Sequence, residues 1–62
     1  MFTILIIEDN LDIQIEIESS IKTIRKQTKI LKTRNGEEAL KVAGLMEIDV
    51  FMIDLGLPDW DG

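Results

Sequence analysis

The sequence predicts an α/β fold built on a parallel sheet. Two apolar runs, "FTILII" at residues 2–7 and "VFMI" at residues 50–53, have the near-continuous hydrophobicity of strands covered on both faces. The stretches between them carry apolar residues at helical spacing. The resulting order is strand, helix, strand, helix, strand. Such alternation is the mark of βαβ units with right-handed crossovers.

Phe2–Ile7 is rich in isoleucine and reads as the first strand. "IEDN" ends it with polar residues and offers Asn10 as a helix N-cap. The next stretch, "LDIQIEIE" at residues 11–18, alternates apolar and polar residues as a half-buried strand does. The alternation stops after Glu18, however, where Ser19, Ser20 and Lys22 follow. Ile13, Ile17, Ile21 and Ile24 share one helical face across the whole stretch. A helix over Leu11–Lys26 therefore accounts for more residues, and it leaves Leu11 and Ile15 on the far side.

Thr28–Thr33 reads as a short strand bearing lysines. Asn35-Gly36 marks a turn of residues that tolerate φ > 0. Glu37 and Glu38 then fall in a first helical turn, where negative charge is favoured. Ala39, Leu40, Ala43 and Met46 continue the helical spacing, and Gly44 weakens it. Asp49 opens the next element, Val50–Ile53 is the third strand, and "LGLPDWDG" is a loop punctuated by Gly56, Pro58 and Gly62. No internal repeat, linker or low-complexity segment interrupts this order.

Composition narrows the chemistry. With 62 residues the chain is one domain at most, and with no cysteine or histidine it has neither a disulfide, a thiolate or imidazole metal site, nor a histidine base. The apolar runs fall far short of the roughly 20 residues that a membrane span needs. Met1–Asn10 has no basic region ahead of its apolar run, so it does not read as a signal peptide. Seven Lys and Arg stand against 12 Asp and Glu, a net charge of -5, which makes a poor nucleic-acid ligand. Lys22, Arg25, Lys26, Lys29, Lys32 and Arg34 form a run without acids. It reads as a solvated helix end followed by an edge strand, where lysine discourages unwanted pairing.

The acids are the informative residues. In parallel α/β sheets, functional groups gather at the C-terminal ends of strands. Glu8 and Asp9 close the first strand and Asp54 closes the third. Should those strands be neighbours, three carboxylates converge and repel one another unless protonated or neutralised. No lysine or arginine adjoins either motif, so a divalent cation is the natural counterion. Oxygen-only ligands suit Mg²⁺, which is often held by one or two carboxylates and keeps several waters. The plainer reading is that Glu8, Asp9 and Asp54 merely cap helices and solvate loops.

"ILIIEDN", "RNGEEAL" and "DVFMIDLGLPDWDG", in this order and spacing, resemble the receiver domain of two-component response regulators. The resemblance spans essentially the whole chain. It implies a flavodoxin-like sheet in which these elements form β1-α1-β2-α2-β3 in the order 2-1-3, and it supports a helix at "LDIQIEIE". It implies that Asp54 is the phosphoacceptor and also a Mg²⁺ ligand, that Asp9 binds Mg²⁺ directly, and that Glu8 is the second member of the acidic pair, acting directly or through water. It further implies that the Gly56 backbone carbonyl is a ligand and that Leu57, Pro58, Asp61 and Gly62 form the following loop. Trp60 reads as an anchor of that loop. The implied partner is a cytoplasmic histidine kinase, whose phosphohistidine is the donor that this histidine-free chain lacks.

Domains of that family continue through two more strands and three more helices, with a hydroxyl residue and a lysine that read the phosphoryl group. The expectation is thus the N-terminal half of a receiver domain, with an apolar Val50–Ile53 edge open to pairing with a second copy. Two other functions compete. An Mg²⁺-dependent phosphohydrolase with an aspartyl nucleophile wants a second Asp two residues on, where this chain has Gly56. A pseudo-receiver would bind partners without being phosphorylated.

Overall fold

The computed structural model describes residues 2–53. It contains β1 (Phe2–Ile7), α1 (Leu11–Ile24), β2 (Thr28–Thr33), α2 (Gly36–Leu45) and β3 (Val50–Ile53). The three strands form one parallel sheet in the order β2-β1-β3. Phe2 through Ile7 pair in register with Thr28 through Thr33, and Ile4 through Ile7 pair with Val50 through Ile53. This is the expected order of the first three strands of a flavodoxin-like sheet.

β1 is the central strand, paired on both sides, and it is almost wholly apolar. Leu5, Ile6 and Ile7 are fully buried. Leu5 and Ile7 pack with Ala39 of α2, and Leu31, Val42, Ile48 and Ile53 close around them. Ile4 and Ile6 alternate with them and point to the opposite face of the sheet. Asp49 ties β3 to the start of β1: its Oδ2 accepts from the Thr3 amide at 2.7 Å, and its own amide donates to the Thr3 carbonyl at 2.9 Å.

α1 ends two residues before the expected Lys26. Arg25 is already extended (φ -141°, ψ 95°), and its carbonyl accepts from the Thr28 hydroxyl at 2.9 Å. The Arg25 guanidinium lies 4.7 Å from the centre of the Phe2 ring, which draws the chain back toward the sheet. Lys32 on β2 pairs with Glu18 of α1 at 2.8 Å, so part of the basic run works as a solvated tie between helix and edge strand. The ammonium holds the Glu18 carboxyl below the usual carboxylate range.

The isoleucine stripe of α1 is less covered than its periodicity suggests. Ile17 and Ile21 are half-buried, while Ile13 is exposed and Ile24 is 87 % exposed. Ile17, Ile21 and Ile24 instead line an open groove with Met52 of β3.

The chain bends at Arg34 and Asn35, where a turn is expected, and Asn35 does so without a positive φ. It is extended (φ -154°) and caps α2, its side chain accepting from the Glu38 amide at 2.9 Å. Glu38 in turn accepts from the amide of Arg34, the residue before the cap, at 2.8 Å. Within α2, a Cβ built on Gly44 meets nothing within 4 Å. We expect Gly44→Ala to raise stability by about 0.5–1 kcal/mol, read as a higher urea midpoint at unchanged slope.

Candidate functional site

The site lies where β1 turns into α1. Glu8 is the first residue beyond the strand, and its amide extends the ladder by donating to the Thr33 carbonyl at 3.0 Å. The side chain is buried, and its Oε2 accepts from the Asp9 amide at 3.0 Å. Asp9 is exposed beside it. Asn10 then starts the helix. Its Oδ1 accepts from the Asp12 amide at 2.9 Å and from the Ile13 amide at 3.3 Å, so the chain reverses within three residues of the strand end. An acidic pair is thereby presented at the C-terminal end of the central strand, one carboxylate turned in and one turned out.

Ile7 and Ile53 are register partners, so β1 and β3 end level. Each strand is followed in sequence by an acid, Glu8 in one case and Asp54 in the other. Asp54 lies outside the described residues, as do Gly56, Leu57, Pro58, Trp60, Asp61 and Gly62. Among the described residues, no group of three or more Asp or Glu is gathered as a cation site. What these residues provide is the Glu8–Asp9 pair. Its donors are carboxylate oxygens alone, which suits a hard cation such as Mg²⁺. A carboxylate has about four acceptor positions, so the bond from the Asp9 amide to Glu8 is compatible with cation binding.

Two residues that hold this end of the sheet were not singled out from the sequence. Gln14 is the one buried residue of α1, and its Nε2 donates to the Glu8 carbonyl at 2.7 Å and to the Thr33 carbonyl at 2.9 Å. Thr33 is buried too, and its hydroxyl donates to the Ile6 carbonyl at 3.1 Å. A signal for Gln14 was present: residues seven apart on a helix differ by only about 20°. Gln14 therefore flanks the apolar stripe beside Ile21. Polarity argued for the solvent face, and position argued for the sheet.

Comparison with known protein families, with characterised proteins and with solved structures finds no match. Among the described residues, no helix is long and apolar enough to cross a membrane.

Proposed function

We propose that this chain is the phosphoacceptor part of a response-regulator receiver domain, acting in two-component signalling rather than as an enzyme. Asp54 takes a phosphoryl group from a phosphohistidine of a cytoplasmic histidine kinase, and Glu8, Asp9, Asp54 and the Gly56 carbonyl would hold Mg²⁺. The observation that carries this reading is the level ending of β1 and β3, each followed by acid, in a parallel sheet ordered β2-β1-β3.

The transfer balances simply. An Asp54 oxygen forms a bond to phosphorus, the phosphorus–nitrogen bond of the donor breaks, and the electron pair leaves on the imidazole nitrogen. The transition state is loose, so positioning and charge neutralisation provide most of the acceleration. Bound Mg²⁺ supplies the neutralising charge that carboxylates and phosphoryl oxygens need at close range. Glu8 and Asp9 contribute the negative charge that retains the cation, from a backbone fixed by β1, β2 and α1. The test is incubation with acetyl phosphate, with and without Mg²⁺, followed by intact mass. Addition of one phosphoryl group only with Mg²⁺ is the expected result, and no addition overturns the reading.

One observation favours a second role, self-association. β2, at one edge of the sheet, carries Lys29 and Lys32, the usual protection of a free edge. β3, at the other edge, has no charge, and its Val50, Phe51 and Met52 are all exposed. Antiparallel pairing of two β3 strands about a two-fold axis joins two three-stranded sheets into one continuous sheet. Sedimentation should show concentration-dependent dimers that Met52→Lys weakens at least tenfold. A wild-type monomer throughout the range removes this reading and leaves the phosphoacceptor reading intact.

A further inference from the structure

The Glu8–Asp9 peptide unit is held from both sides. Its carbonyl accepts from Gln14 Nε2 at 2.7 Å, and its amide donates to Glu8 Oε2 at 3.0 Å. A peptide unit is planar, so fixing both groups fixes the direction in which the chain leaves for Asp9. The preceding peptide unit is also held, since the Glu8 amide donates to the Thr33 carbonyl at 3.0 Å. That carbonyl is the second acceptor of Gln14 Nε2, at 2.9 Å. The nitrogen of a side-chain amide has two hydrogens. Both are engaged here, one on each strand. The Gln14 backbone amide meanwhile donates to the Asn10 carbonyl at 3.0 Å, in the first turn of α1. One residue thus links the end of β1, the end of β2 and the start of the helix.

We propose that Gln14 is a positioning residue for the acidic pair: its amide clamps the ends of β1 and β2 and sets the peptide from which Asp9 projects. The inference rests on the metal-binding reading of that pair. In this role Gln14 acts through the Glu8 carbonyl. A carboxylate bound to a cation has to be aimed, and the partners that aim ligands typically change metal affinity 10–100-fold, in rough terms, when removed. An amide suits the place because two carbonyls face one side chain. Methionine, of similar length, fills the same space and donates nothing. Glutamate would set its oxygens against two carbonyls. Lysine keeps donors at the end of a long stem.

The test is a Mg²⁺ titration of the ¹⁵N-labelled chain, read at the backbone amides of Glu8 and Asp9, together with hydrogen exchange. For Gln14→Met we expect Mg²⁺ affinity lower by about tenfold and faster exchange of the Asp9 amide. The Ile30 and Leu31 amides of β2 should keep their protection, because loss of aim is not loss of fold. A merely structural role would give the reverse, general loss of protection with unchanged affinity in the folded fraction. Gln14→Lys should restore protection of the Asp9 amide, which keeps the inference testable if the methionine variant does not fold. Wild-type affinity in Gln14→Met overturns the clamp, as does a lysine variant whose Asp9 amide exchanges freely. A wild-type chain that binds no Mg²⁺ overturns the metal reading itself, and Gln14 then has no cation to aim for.

Discussion

Leu5→Ala should abolish cooperative unfolding at room temperature or bring the protein close to that limit. Leu5 is fully buried in the central strand, packed with Ile7 and Ala39 and closed over by Leu31, Val42, Ile48 and Ile53. Truncating such a leucine costs about 2–5 kcal/mol, from lost transfer energy and from the cavity left behind. A chain of this length has a stability of about 3–9 kcal/mol at the usual value per residue, and small cores fall at the low end. One side chain therefore represents most of the margin. At about 4 °C per kcal/mol, a loss of about 3 kcal/mol lowers Tm by about 12 °C or more. Leu40→Ala is the control. Leu40 is 67 % exposed, and its truncation should change stability by no more than about 0.5 kcal/mol. Urea titration followed by circular dichroism separates the two. Equal effects would mean that burial in β1 does not govern stability.

Asp54→Asn should eliminate Mg²⁺-dependent phosphoryl incorporation, while Asp9→Asn should reduce it without removing the acceptor. The two substitutions delete one negative charge each, so their difference isolates chemistry from electrostatics. An amide in place of the Asp54 carboxylate has no oxygen nucleophile that yields a mixed anhydride. Loss should be complete at any Mg²⁺ concentration. Asp9→Asn leaves that nucleophile in place and removes charge beside the buried Glu8 carboxylate. Its deficit should be at least about tenfold and should shrink at high Mg²⁺, as expected when affinity for a neutralising cation is what has fallen. Glu16→Gln, exposed on α1, should behave as wild type. Intact mass after acetyl phosphate treatment reads all three. Phosphate retained in Asp54→Asn would place the acceptor elsewhere. Insensitivity to Asp9→Asn would show that Asp9 does not hold the cation.

The strands were legible in the sequence because each carries a local signal, whereas their order in the sheet was an expectation from the family resemblance alone. Phe2–Ile7, interrupted only by Thr3, and Val50–Ile53 are apolar runs, and Thr28–Thr33 is bracketed by polar residues. All three match the observed bounds. The acidic pair at the end of β1 was legible for the same reason, since the apolar run stops at Glu8. Leu11–Glu18 needed a longer window: its alternation is a strand signal over eight residues, and only Ile21 and Ile24 beyond it reveal the helix.

The tertiary structure decided which side chains of those elements are covered and what holds the site. A helical period assigns a face, but what packs against each turn decides how much of that face is buried. Ile24 is exposed for that reason, although it belongs to the same stripe as the half-buried Ile17 and Ile21. Gln14 is the converse case. Its polarity suggested solvent, yet it is buried because the ends of β1 and β2 bring two carbonyls to one place and both accept from a donor there. Asp49 followed the same logic at the other end of the sheet, accepting from the Thr3 amide. Sequence pattern records hydrophobicity and period, which are properties of a segment. Hydrogen-bond demand at a strand end is created only when segments meet, and that is where the residues missed in the sequence were found.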